Sequence, residues 1–210
     1  YEEALNKQGI LVPRLEFDEM VQKIEGIFNA LHDKEIERIV INGDLKHEFG
    51  TISEQEWRNT LKFLDLLSKH CNEIILIKGN HDTILGPIAK KRNVKVLEYV
   101  NIGGILITHG NITPENIKKY KTIIIGHEHP AITLREGPKV EQYKCFLKGK
   151  FKGKNLIVQP SFNTIVEGTD VLRDQILSPF LQQDLDKFDV YIVEDKVYDF
   201  GKLKGLRKGQ

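Results

Sequence analysis

Cysteine is scarce. Cys71 and Cys145 are the only two in 210 residues. No disulfide framework can be built from them, and a reducing compartment is the expectation. Long apolar runs are missing as well. No stretch reaches the roughly 18 residues needed to cross a bilayer, and no signal peptide is visible. A cytoplasmic protein without a membrane partner is therefore expected. An excess of one charge is also lacking: 31 Lys and Arg stand against 30 Asp and Glu, a formal net charge of +1. Bulk electrostatics thus makes no case for nucleic acid, membrane or an acidic partner. There are no internal repeats, low-complexity tracts or obvious linkers. A chain of this length, 40% hydrophobic and 29% charged, is expected to fold as one domain over residues 1–210 with a sizeable core.

What the chain does have is a recurring pattern. Ile75–Asp82 (ILIKGNHD) is an aliphatic run that stops in Gly-Asn-His-Asp, and three other stretches repeat the arrangement: Ile39–Asp44 (IVINGD), Ile105–Gly110 (ILITHG) and Ile123–His129 (IIIGHEH). Short apolar runs bounded by turn residues read as buried strands. In open α/β sheets, ligands sit outside the carboxyl ends of the strands. If the four runs share one sheet, Asp44, Asn80, His81, Asp82, His109, His127 and His129 converge on one rim. Oxygen and imidazole ligands with no Cys among them suit divalent Mn, Fe, Zn or Ni. A lone histidine at a strand end is more often structural than a ligand. Four of the seven histidines in these motifs, in this order, outweigh that explanation.

The surrounding chain predicts an α/β domain. Phe17, Met20, Val21, Ile24, Ile27, Phe28 and Leu31 recur at helical spacing. Ile36–Ile41 reads as a strand. Ser53-Glu-Gln-Glu56 is a capping box that opens a helix to about His70, with Trp57, Leu61, Leu64 and Leu67 or Ser68 inward. Ile74–Ile77 is a strand and Gly86–Arg92 a short helix. Val94–Leu97 and Ile105–Thr108 are strands, Thr113–Glu115 opens another short helix, and Ile123–Ile125 returns to the sheet. After His129, tight turns separate strands at Ala131–Arg135, Tyr143–Lys148, Leu156–Val158, Val190–Val193 and Val197–Phe200, with a helix expected over Val171–Gln183. The predicted architecture is α/β, with two facing mixed sheets flanked by helices.

The series GD, GNHD, THG and GHEH resembles the calcineurin-like metallophosphoesterase superfamily, whose motifs run D-x-H, G-D, G-N-H-D/E, a lone His and G-H-x-H. Four of the five match, at Gly43-Asp44, Gly79–Asp82, His109 and Gly126–His129. YEEALNKQG, GDLKH and PSFNTIVEGTD (Pro160–Asp170) further resemble a bacterial and archaeal subgroup of phosphoesterases, some associated with DNA ligases.

The resemblance implies an α/β/β/α sandwich with two divalent metal ions, Mn first among them, and a phosphate-ester substrate. Asp44 would bridge ions about 3.5–4 Å apart. Asn80, His109 and His127 would hold the second ion, and His129 the first. His81 would donate to a phosphoryl oxygen or protonate the leaving alkoxide. Asp82 would hold the His81 ring and favour its charged form. The D-x-H motif has no counterpart, and the expectation is that it lies on a strand upstream of Tyr1. Without it, the first ion has only Asp44 and His129.

Weaker signals remain. Lys46-His47 lies close to the bridging Asp, and His47 is a candidate substrate contact or merely solvated. Lys148, Lys150, Lys152 and Lys154 share parity, so one extended strand would show all four on one side. They would then guard a sheet edge or meet a nucleic-acid backbone. Lys202, Lys204, Arg207 and Lys208 read as a solvated basic tail, and His32 and His70 as helix-end histidines without a functional role. Three functions stay open: a phosphomonoesterase or phosphodiesterase, a DNA-end-processing nuclease, and a catalytically silent metal-binding scaffold.

Overall fold

A computed structural model describes residues 16–32, 34–45, 54–82, 86–92 and 94–207. The chain falls into two compact units. One holds the described residues up to Glu98 together with Phe162–Ile165, the other Tyr99–Ser161 and Val166 onward. The fold is α/β, with two sheets and helices, as the sequence predicts.

The first unit alternates helix and strand. Helix α1 spans Glu16–Ala30, β1 Ile36–Asn42, α2 Glu54–Leu67, β2 Cys71–Ile77, α3 Gly86–Arg92 and β3 Lys95–Leu97. The three strands form a parallel sheet in the order β1-β2-β3. Register sets Ile39 beside Ile74 and Ile41 beside Leu76, and these four pack with Phe28, Leu64 and Leu67 into one apolar cluster. Periodicity explains why the helices meet it: Ile24 and Phe28 of α1 and Trp57, Leu61 and Leu64 of α2 lie three or four residues apart. Ile75 and Ile77, of the opposite parity, are also buried, the two-sided burial expected of a parallel strand. Glu73 links all three strands, pairing with Arg38 of β1 and Lys95 of β3. The hydrogen bond from Lys95, then that from Arg38, draws its carboxyl below the ordinary value. His70 stacks on Phe28 with ring centroids 4.0 Å apart, a packing role consistent with its place near a helix end.

The second unit is built around one long strand. β4 (Tyr99–Ile102), β5 (Ile105–Thr108), β6 (Thr122–Ile125), β7 (Pro130–Glu136), β8 (Lys139–Phe151), β9 (Lys154–Val158) and β10 (Thr169–Asp170) form a mixed sheet in the order β10-β7-β8-β9-β6-β5-β4. β11 (Asp189–Val193) pairs with β8 and with β12 (Val197–Lys202), and α4 (Leu203–Arg207) follows. Leu106, Ile123, Ile125, Ile132, Leu147, Leu156, Val158 and Phe180 form its core, each essentially without exposure.

Several expectations are corrected. The four runs that carry the candidate ligands do not share one sheet: β1 and β2 lie in the three-stranded sheet, β5 and β6 in the other. Val171–Gln183 is turns and irregular chain, not helix. Pro179 has no N–H to donate, and the Asp170 and Asp174 carboxylates take up the backbone N–H groups of Leu172 and Asp170. β4 is an additional strand that pairs antiparallel with β5. The lysines do not form one strip, because the chain reverses between Phe151 and Lys154. Lys148 and Lys150 lie on β8, and Lys152 is in the turn. Lys154 pairs with Phe151 and so shares its face, opposite to that of Lys150. Nor is β8 an edge, since it pairs with β7, β9 and β11. The capping box, His47, Pro13 and Lys208 lie outside the described residues or depend on residues that do.

Candidate metal centre

In the first unit the two motifs leave the same end of the sheet, because β1 and β2 are parallel. Beyond β1 the chain turns through Gly43 (φ 83°) to Asp44 at φ 44°. That left-handed conformation is unfavourable for most side chains, though Asp tolerates it better than most. Beyond β2 the GNHD turn closes on itself. The buried Asp82 carboxylate accepts the Gly79 N–H at 3.0 Å, and the Asp82 N–H donates to the Gly79 carbonyl at 3.3 Å. Asn80 and His81 occupy the middle of the turn and are half-buried. Asp44 Oδ1 accepts the His81 N–H at 3.1 Å, so the carboxylate is fixed by a charge-assisted hydrogen bond.

The approach of Asp44 to this turn depends on a missing side chain. A Cβ at Gly79 would lie 2.1 Å from Asp44 Oδ1 and 2.4 Å from the Asp44 backbone nitrogen. Both distances are far inside van der Waals contact. The glycine of G-N-H-D is thus required by the carboxylate of G-D, 35 residues earlier in the chain.

In the second unit His109 follows β5 and His127 follows β6, again at one end of a parallel pair. The Gly126 N–H donates to the His109 carbonyl at 2.9 Å, tying the two turns together. His127 and His129 sit at φ 25° and 48°, sparsely populated values of the kind found at ligand clamps. His127 Nδ1 lies 3.1 Å from His109 Nε2, with the rings tilted 69° apart. His109 is 1% exposed. Two imidazole nitrogens at that separation form either a ring-to-ring hydrogen bond or a pair of ligands to one ion. Zn–N bonds of about 2.0–2.1 Å at near-tetrahedral angles put two nitrogens slightly over 3 Å apart. The residues therefore fit a divalent ion.

The residue between the histidines has a place in the site that its motif does not announce. Glu128 is 2% exposed, and its Oε2 accepts the N–H groups of Leu177 and Ser178 at 3.0 and 2.6 Å. The Ser178 hydroxyl, fully buried, donates to the Gly110 carbonyl at 2.8 Å. A charged residue inside G-H-x-H was the only available sign of this, and its partners lie about 50 residues away. Part of the PSFNTIVEGTD segment acquires a role as well. Thr169 pairs with Pro130, and its N–H donates to the His129 carbonyl at 3.0 Å. Gly168, at φ 111°, leaves no room for a Cβ against that carbonyl oxygen. Neither cysteine supplies a reactive group. Burial, with Asp170 adding to it, pushes the Cys145 thiol up to about 12, and burial raises that of Cys71.

The sequence profile of the calcineurin-like phosphoesterases matches residues 17–192. The chain belongs to that family. Among solved structures, the chain is similar to the nuclease MPE of Pseudomonas putida. The TM-score is 0.62 and the identity 18%, over 88% of this chain and 78% of that one. A single mutant of Vps29 from Entamoeba histolytica aligns at 17% identity over 87% of this chain and 84% of its own, with a TM-score of 0.33. Vacuolar protein sorting 29 from Cryptosporidium parvum aligns at 18% identity over 79% and 97%, with a TM-score of 0.33. At these identities the first match bears on the fold alone, and the two lower scores carry no weight. No curated protein matches the chain. Among the described residues no helix is long and apolar enough to cross a membrane.

Proposed function

We propose that this calcineurin-like phosphoesterase hydrolyses a phosphomonoester or phosphodiester with two divalent ions, Mn being the first choice. The observation that carries the reading is the pair of ring nitrogens of His109 and His127, 3.1 Å apart at the ends of two parallel strands. Asp44, with two carboxylate oxygens, is assigned as the bridging ligand. Asn80 joins His109 and His127 on the second ion, and His129 serves the first. Such ions would supply Lewis acidity toward the phosphoryl oxygens and lower the pKa of a water for attack. The chain's own part is placement and proton transfer. His81 faces the leaving group and gives it a proton, while Asp82 braces the turn that carries it through the Gly79 N–H. The hydrogen bonds of Asp82 to Gly79 and of Asp44 to His81 support this division, because both stiffen the turn that presents His81.

The purified protein should bind two Mn²⁺ per chain and cleave p-nitrophenyl phosphate or bis-p-nitrophenyl phosphate. Binding without cleavage of any ester would favour the silent metal-binding scaffold, and no binding would refute the ligand set.

A nuclease is the second reading. It takes its motive from the resemblance of GDLKH and PSFNTIVEGTD to a subgroup partly associated with DNA ligases, and from the nuclease named among the similar structures. Lys148 and Lys150, exposed on one face of β8, are the candidate phosphate contacts. Replacing both with Gln should weaken DNA binding and flatten its salt dependence, since each neutralised phosphate steepens that slope. Equal affinity in the double variant would leave a small ester as the substrate.

A further inference from the structure

We infer that Glu128 and Ser178 are positioning residues that hold the His109 and His127 turns at metal-binding separation. The inference rests on the proposed metal site and adds to it the part of the chain that sets its geometry. Glu128 lies between His127 and His129, yet its carboxylate is directed into the protein interior. There Oε2 takes two backbone N–H groups, those of Leu177 and Ser178, at 3.0 and 2.6 Å. Ser178 in turn donates its hydroxyl at 2.8 Å to the carbonyl of Gly110, the residue after His109. A connection therefore runs from the His127 turn through Glu128 and Ser178 to the His109 turn, beside the direct Gly126–His109 hydrogen bond. Glu128, Ser178 and Gly110 are buried, so breaking the links among them strands donors or acceptors away from water rather than exchanging them for solvent. Two turns held by several buried hydrogen bonds keep their imidazoles close before any ion arrives. Groups that orient metal ligands in this way typically change affinity about 10–100-fold when removed.

The carboxylate is used asymmetrically. Oε2 serves both donors, while Oε1 is buried and has no hydrogen-bond partner among the described residues. One acceptor oxygen is therefore enough, and Gln can supply it. Met, of similar length, cannot.

The test is Mn²⁺ titration calorimetry on wild type, Glu128→Met, Glu128→Gln and Ser178→Ala, beside thermal unfolding of each in chelator. Glu128→Met and Ser178→Ala should weaken Mn²⁺ binding at the tighter affected site about 10–100-fold. Glu128→Gln should return it to within a few-fold of wild type. Variants with a lowered melting temperature but wild-type Mn²⁺ affinity would overturn the inference, because the clamp would then be structural only. Loss of affinity in Glu128→Gln equal to that in Glu128→Met would overturn the role given to the single oxygen. If Glu128→Met fails to fold, Ser178→Ala, a change of one hydroxyl, decides alone. Wild type that binds no Mn²⁺ would overturn the metal reading and this inference with it. Wild-type binding with unaffected variants would overturn the clamp only.

Discussion

Replacing Gly79 with Ala changes one methyl group and should damage both stability and metal binding. The new Cβ would lie 2.1 Å from Asp44 Oδ1, 2.8 Å from its Cγ and 2.4 Å from its backbone nitrogen. A side chain alone could rotate aside, but a backbone nitrogen cannot. The GNHD turn or the Asp44 segment must therefore shift by about an ångström to reach ordinary contact distances. Overpacking of this kind costs about 1–3 kcal/mol. The shift also breaks the hydrogen bond from the His81 N–H to the Asp44 carboxylate, a charge-assisted bond worth about 1.5–3 kcal/mol. For a chain of this size 1 kcal/mol moves the melting temperature by about 2–4 °C, so a fall on the order of 5–25 °C is expected. Mn²⁺ affinity should drop more than tenfold, since Asp44, the proposed bridging ligand, is displaced. Gly26→Ala is the matched control. Gly26 lies inside α1 and nothing lies within 4 Å of where its Cβ would be, so this change should stabilise by up to about 1 kcal/mol. Differential scanning fluorimetry in chelator and a Mn²⁺ titration measure both effects. Wild-type stability and affinity in Gly79→Ala would refute the packing of the two motifs.

Other consequences follow from the same geometry. Asp44→Ala should lose metal and activity together, read by metal analysis and ester hydrolysis. His81→Ala should keep its metal and lose about 10²–10⁴ in turnover. The loss should be smallest for a nitrophenyl ester, whose leaving group hardly needs a proton, and metal loss in this variant would overturn the role given to His81. Cys145 should resist iodoacetamide at pH 8 in the native protein and react once unfolded, because burial holds its thiol at about 12. The sign of the linked stability follows. Between the ordinary thiol value of 9 and about 12, the unfolded chain releases a proton that the folded chain keeps. Stability should therefore fall as pH rises through that window, with a shallower fall in Cys145→Ala, measured by urea unfolding.

The strands and turns that carry the candidate ligands were legible because their chemistry is local. An aliphatic run such as Ile74–Ile77 can be satisfied only by burial, and the Gly-Asn-His-Asp that ends it can be satisfied only by a turn. Helices α1 and α2 announced themselves in the same way, through the spacing of Ile24 and Phe28 and of Leu61 and Leu64. Sheet membership was not local. A strand's sequence records how deeply it is buried and not which neighbour shares its hydrogen bonds, so β1 with β2 and β5 with β6 looked like members of one sheet. Lys148–Lys154 failed as a strip because parity carries a face along a strand but not around the reversal before Lys154. The predicted helix at Val171–Gln183 gave way to competing side-chain acceptors, including a carboxylate, that of Glu128, about 50 residues away. The candidate metal-binding residues were thus proposed from short motifs. The partners that hold them in place — Gly79 for Asp44, Ser178 and Glu128 for the histidine turns — arise from contacts between distant parts of the chain, and only folding brings those together.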